Sequence, residues 1–176
     1  GEKYEHGLQG KVLLTVGALN RQNHKRIHLA IEAVSQLNDV SLLICGDGPD
    51  VQYFNDLCTQ KLGAQRFNIV KVDFADIPNV YRSVDAFTLP SEDEPFGRVY
   101  LEAMASGLPV IATDDSMRRT LIGKAGVVCN VENIGEYAAA IATTLTTDWA
   151  GAPIEQAADF SWESVAERYA DVIESL

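Results

Sequence analysis

The sequence predicts an α/β domain of Rossmann-like, doubly wound character, with a parallel sheet of about six strands and helices on both faces. Three observations carry this reading. Short aliphatic and β-branched runs recur along the chain, several apolar at consecutive positions, as in strands buried on both faces. Helical stretches separate them in strict alternation, which implies right-handed crossovers. The 176 residues, 47% hydrophobic, suffice for one domain with a substantial core and are too apolar for a disordered chain.

Taken in order, VLLTV at 12–16 is the first expected strand, followed by a helix over 25–37. SLLIC at 41–45 is the second. Gly48-Pro49-Asp50 then starts a helix over 50–63, with Asp50 as its cap and Val51, Phe54, Leu57 and Cys58 at helical spacing. NIVKV at 68–72 is the third strand, a helix over 76–83 follows, and DAFTL at 85–89 is the fourth. A helix from Gly97 to 106 leads into PVIA at 109–112, then GVVC at 126–129 and a helix over 132–147. Ser161 before Trp162-Glu163-Ser164 caps a last helix over 161–175.

Charge narrows the function classes. Fourteen Lys and Arg against 25 Asp and Glu give a formal charge of −11, which disfavours nucleic acid or an anionic bilayer as a partner held by net charge. Any phosphate site must be local. Cys45, Cys58 and Cys129 are odd in number and far apart, so they read as buried free thiols of a reducing compartment. No apolar stretch approaches the ~18 residues of a membrane span, and no signal-like segment opens the chain, so a soluble protein is expected. The start at Gly1-Glu2 suggests a processed or excised product. Glu92-Asp93-Glu94 and Asp114-Asp115 are short acidic loops rather than a metal cluster.

Open parallel sheets bind ligands beyond the carboxyl ends of their strands, near helix amino termini. The loops to examine are therefore Gly17 to Lys25, Gly46-Asp47-Gly48-Pro49 and Pro90 to Gly97. Pro95 favours an extended Glu94, and a helix starting near Gly97 leaves Glu94 in the loop and Glu102 on the second turn. Glu102 then lies roughly 7 to 8 Å along the axis from the free amides at the helix start, at ~1.5 Å per residue. One extended ligand with a sugar, a diphosphate and a ribose could touch Glu94, those amides and Glu102 in turn. Spacing alone favours the plainer reading of Glu94 as a solvated loop acid and Glu102 as a surface helix residue.

The segment "PSEDEPFGRVYLEAMASGLPVIAT" closely resembles the carboxyl-terminal, nucleotide-sugar-binding domain of GT-B glycosyltransferases of the retaining family 4, also called group 1. The similarity covers nearly the whole chain, through "LLTVGALN", "KRIHLAIEA", "LLICGDGP", "VYRSVDAFTLPS", "AGVVC" and "FSWESVAERY" in the family's order. It implies one half of a GT-B fold and a site in which Glu94, as the catalytic residue, faces the donor sugar. Glu102 would hold the ribose hydroxyls, Lys25 would neutralise the diphosphate, and the amides of Phe96, Gly97 and Arg98 would approach sugar and diphosphate. Gly17, Gly46 and Asp47 would line the donor pocket. Two departures stand out: Ala18 replaces the Arg usual after the first Gly, with Arg21 as a substitute phosphate contact, and "DDSMRRTLIG" carries Thr120 where an acid is common. Arg118 and Arg119 are there either further phosphate contacts or exposed charges.

The resemblance further implies residues 1–11 as a linker remnant, 12–160 as the nucleotide-sugar-binding domain, and 161–176 as a helix that bridges to an amino-terminal acceptor-binding domain absent from this chain. The expected function is donor binding within a retaining transfer of a sugar from a nucleoside diphosphate to a hydroxyl acceptor. The full-length protein would be a hexosyltransferase, and this chain alone inactive. The nucleotide sugar is the donor substrate and no cofactor or metal is required. The expected location is cytoplasmic, with the inner face of the membrane as the second location for the full-length protein. A noncatalytic nucleotide-binding or interaction module, or a sugar-nucleotide epimerase, remains an alternative reading.

Overall fold

A computed structural model of the chain describes residues 3–94 and 97–161. Strands β1 (Lys11–Val16), β2 (Val40–Cys45), β3 (Phe67–Val70), β4 (Ala86–Leu89), β5 (Val110–Thr113) and β6 (Gly126–Cys129) form one parallel sheet in the order β3-β2-β1-β4-β5-β6. Helices α1 (Ile27–Ser35), α2 (Val51–Leu62), α3 (Ile77–Tyr81), α4 (Arg98–Ala105), α5 (Ser116–Ile122), α6 (Ile134–Thr146) and α7 (Ala152–Ala158) connect or cover the strands. The doubly wound α/β class is as expected.

The period-2 side-chain alternation of buried strands builds two cores. Leu13 joins Ile31 of α1, Phe54 of α2 and Tyr137 of α6 on one face. Val12 and Leu14 turn the other way, to Val80 of α3, Tyr100 of α4 and Leu121 of α5. Burying strands on both sides requires consecutive apolar residues, which is why VLLTV and SLLIC read so clearly as strands.

Several local expectations change. The third strand ends at Val70, leaving Lys71 and Val72 in the loop beyond its carboxyl end. The first helix begins only at Ile27, because Arg26 before it has φ 50° and ψ 38°, in the left-handed region. Asp50 stands at the start of α2 but makes no capping bond; its carboxylate instead accepts the Arg21 amide at 2.8 Å and pairs with the Arg21 guanidinium. Helices α5 and α7 were not expected. The first is capped by Asp115, which accepts the Arg118 amide at 2.8 Å, and the second carries Pro153 in its first turn. The expected last helix, apart from Ser161, lies outside the described residues. All three cysteines are buried and free, as expected, and burial pushes Cys58 and Cys129 up to about 12.

Strand order reverses at the β1/β4 boundary, where only Leu13 and Leu14 pair with Ala86 and Phe87. The loops leaving β1 and β4 part there and open a crevice at the carboxyl edge, the place where such sheets take ligands.

Candidate functional site

The floor of the crevice is backbone. Gly17 donates its amide to Cys45 O at 3.1 Å, Leu19 to Asp47 O at 2.9 Å and Asp50 to Leu19 O at 3.0 Å. The loops after β1 and β2 thereby run in direct contact. A Cβ placed on Gly46 would stand 1.9 Å from Gly17 O, so no larger residue fits without separating them. Glycine there is a requirement of close approach.

A cavity of about 610 Å³ opens above this floor, lined by Gly17, Ala18, Gly46, Asp47, Arg98 and Glu102. Val72, Phe74 and Ile77 form its apolar wall. That wall is not legible in the sequence, where Val72 continues the apolar run of the third strand. Asp47 is exposed and pairs with Lys71 Nζ at 2.7 Å, also on the rim. The hydrogen bond with Lys71 holds the Asp47 carboxyl below the usual carboxylate range and lifts Lys71 in turn. Glu102, on the second turn of α4, accepts a hydrogen bond from Tyr81 Oη at 3.2 Å. Burial first, and the Glu102 charge second, push the Tyr81 hydroxyl up, so it remains a donor. Its signal in the sequence was a tyrosine at the end of a short helix, which reads as core.

Lys25 and Glu94 meet beside the cavity. Lys25 Nζ lies 3.2 Å from Glu94 Oε2, with side-chain exposures of 19% and 16%, and His24 Nε2 is 3.9 Å from the same oxygen. The Lys25 stem passes over Gly17: a Cβ there would come within 2.6 Å of Lys25 Cδ. The pair thus borders the cavity at Gly17. Gly97 precedes α4 with φ 57° and has no side chain with which to cap the first amides of the helix. Arg98 is exposed on the cavity rim, while Phe96 lies outside the described residues.

Arg21 is not brought to this cluster. Its guanidinium pairs with Asp50 at 3.3 Å and lies 4.7 Å from the centre of the Tyr53 ring, because a carboxylate and an aromatic face at the start of α2 both attract it. The two arginines of α5 also separate. Arg119 is exposed on Asp114, whereas Arg118 is buried at 1% exposure, so the choice between phosphate contact and exposed charge describes neither its position nor its partners. Arg26, which sequence reasoning did not single out, ties Pro90 O at 2.9 Å, Glu132 at 2.9 Å and Thr113 Oγ1 at 3.4 Å, fastening the ends of β4, β5 and β6 together. Among the described residues no group of three or more His, Cys, Asp or Glu could hold a metal, and no helix is long and apolar enough to cross a membrane.

The arrangement can hold an elongated anionic ligand. A cation stands at its middle, a carboxylate with a hydroxyl donor on one side, and a second carboxylate on the other. Residues 2–161 match the family described as "Glycosyl transferases group 1". The chain is 32% identical over 174 residues to a glycogen synthase of Mycobacterium tuberculosis, covering 91% of this chain and 41% of that protein. It is 31% identical over 194 residues to spore coat protein SA of Bacillus subtilis, covering 97% and 50%. Among solved structures, the Anabaena protein HepE in complex with UDP superposes with a TM-score of 0.79 at 26% identity, over 95% of this chain and 49% of that one. The apo form of the lipopolysaccharide outer core galactosyltransferase WaaB superposes at 0.82 and 20% identity, over 99% and 51%, a likeness of fold. The chain therefore spans about half the length or less of these relatives.

Proposed function

The chain belongs to the group 1 glycosyltransferases, and from that premise we propose that it is the donor-binding half of a retaining enzyme that moves a sugar from a nucleoside diphosphate to a hydroxyl acceptor. The observation that carries the reading is the convergence of Gly17, Gly46, Asp47, Arg98 and Glu102 on one cavity, with Lys25 and Glu94 beside it at the β1/β4 crevice.

In this reading Glu102 accepts the ribose hydroxyls, with Tyr81 holding one of its oxygens. The base rests against Val72, Phe74 and Ile77. Lys25 and the first amides of α4 take the diphosphate, where a helix start and an ammonium both favour negative charge. Glu94 then stands at the sugar. Its present pairing with Lys25 means that a diphosphate must compete with a carboxylate for the ammonium. Departure of the diphosphate places new negative charge on the leaving oxygen, and Lys25 and the α4 amides are preorganised to stabilise it without a metal. Arg21 takes part only if it leaves Asp50. The acceptor, in this reading, is held by a second domain facing the crevice, which is consistent with the chain spanning about half of its relatives.

Calorimetric titration with UDP, GDP, ADP and their glucose conjugates tests the reading. Binding of at least one diphosphate, weakened by Glu102→Gln, is the expected result. Absence of binding to all six overturns it.

A further inference from the structure

Arg118 is a fully buried arginine outside the cavity. Its Nη1 pairs with Asp115, its Nε donates to Tyr100 Oη at 3.2 Å, and Tyr100 Oη donates onward to Leu89 O at 2.8 Å. Its Nη2 is buried and makes no hydrogen bond among the described residues. Burying a guanidinium in this way is costly. The position of Tyr100 indicates what the arrangement does. Leu89 is the last residue of β4 and Tyr100 stands in the first turn of α4, so their bond joins the two ends of the loop that presents Glu94. Burial raises the Tyr100 hydroxyl to about 12, with Arg118 opposing, and the phenol stays a donor to Leu89. Within the loop, Glu92 donates its amide to His24 O at 2.8 Å, tying it to the segment that carries Lys25.

The geometry points to Arg118 as a positioning residue: through Tyr100 it clamps the base of the Pro90–Gly97 loop and so holds Glu94 against Lys25. Arg118 itself makes no hydrogen bond or ion pair with either of them. Asp115 fixes one end of the guanidinium, and the Tyr100 ring packs 5.9 Å from its centre, which leaves Nε aimed at the phenol oxygen. Without that bond Tyr100 keeps its ring contacts in the core but loses the partner that orients its hydroxyl towards Leu89. That Glu94 faces a sugar rests on the donor reading above. That the loop is clamped does not.

The test separates the two. Amide hydrogen exchange is measured at Glu92 in the parent, Arg118→Met, Tyr100→Phe and Tyr137→Phe. Tyr137 is an equally buried tyrosine bonded to Thr88 of the same strand at 2.6 Å, but on the opposite core. Arg118→Met and Tyr100→Phe are expected to accelerate Glu92 exchange about tenfold relative to Tyr137→Phe, since local opening is governed by local contacts. In the same proteins, whichever of UDP, ADP or GDP binds tightest is compared with its glucose conjugate. The conjugate should lose about tenfold more affinity than the diphosphate, on the scale of misplacing one group at a site. Tyr100→Phe removes a single hydroxyl and carries the test should Arg118→Met not fold. Parent-like Glu92 exchange in a folded Tyr100→Phe overturns the clamp. Accelerated exchange with a Glu94→Gln variant that binds the conjugate as the parent does keeps the clamp and overturns the donor reading.

Discussion

Lys25 Nζ and Glu94 Oε2 stand 3.2 Å apart although 69 positions separate them in the chain. One residue belongs to the loop after β1 and the other to the loop after β4, so the contact spans the point where the strand order reverses. At side-chain exposures below 20% the pair is partly shielded from water, and its attraction exceeds that of a surface pair.

Lys25→Ala is expected to weaken a nucleoside diphosphate by about 1.5 to 3 kcal/mol, the scale of a hydrogen bond to a charged group. The free nucleoside should be nearly unaffected. Because Glu94 competes for the same ammonium, Glu94→Gln should leave diphosphate binding unchanged or a few-fold tighter. Calorimetry on both ligands checks this, and equal losses for diphosphate and nucleoside in Lys25→Ala would remove Lys25 from the phosphate site.

Gly17 and Gly46 face different neighbours and should behave differently. A Cβ on Gly46 meets the Gly17 carbonyl, rigid backbone, at 1.9 Å. Gly46→Ala should therefore destabilise by about 1 to 3 kcal/mol, as overpacking does, and spoil the cavity floor. A Cβ on Gly17 meets the flexible Lys25 stem at 2.6 Å, which can move aside. Gly17→Ala should keep most of its thermal stability while losing diphosphate affinity. Urea unfolding and titration of the two variants distinguish these outcomes.

The parts of the fold that were legible in the sequence follow from chemistry that leaves a mark on neighbouring residues. VLLTV and SLLIC are apolar at consecutive positions because both sheet faces are covered, and Gly97 marks the start of α4 because its backbone adopts φ 57°. The spacing of Glu94 and Glu102 admits an extended ligand, but the roles proposed for Glu94 and Lys25 rest on resemblance, since spacing cannot express a contact between loops on adjacent strands. Helix α5 escaped because SMRRTLI carries two adjacent arginines and reads as exposed, although one of them is buried by Asp115 and Tyr100. Lys71 escaped because it continues the strand-like run NIVKV, and ending the strand two residues earlier, at Val70, turns a sheet position into a cavity rim.

Arg26 offers a test of backbone strain separate from any ligand. It is a non-glycine residue at φ 50°, a conformation that costs an ordinary side chain about 1 to 2 kcal/mol. Replacement by Ala or Gly removes the guanidinium bonds to Pro90, Glu132 and Thr113 equally. The difference between the two variants therefore reports the backbone. Arg26→Gly should be more stable than Arg26→Ala by about 1 kcal/mol, despite glycine's larger unfolded-state entropy. Equal urea midpoints, or a more stable Ala variant, would place the strain elsewhere.

Glu102 and Glu94 should separate into two phenotypes. The ribose is common to a nucleoside diphosphate and its sugar conjugate, so a residue that holds it must matter to both. Glu102→Gln is expected to weaken both ligands alike. Tyr81→Phe, which removes the hydroxyl 3.2 Å from the Glu102 carboxylate, should weaken both to a smaller degree. Glu94→Gln should instead spare the diphosphate and weaken the conjugate. If the proposed two-domain transferase is correct, Glu94→Gln should lower its kcat by about 100-fold or more, the scale for losing one electrostatic stabiliser of a transition state. Thermal unfolding of each variant comes first, since a folding defect would lower both affinities together. If well-folded Glu102→Gln and Glu94→Gln bind both ligands like the parent, the two carboxylates are ordinary acids at the edge of a cavity, and the donor reading fails at its most specific point.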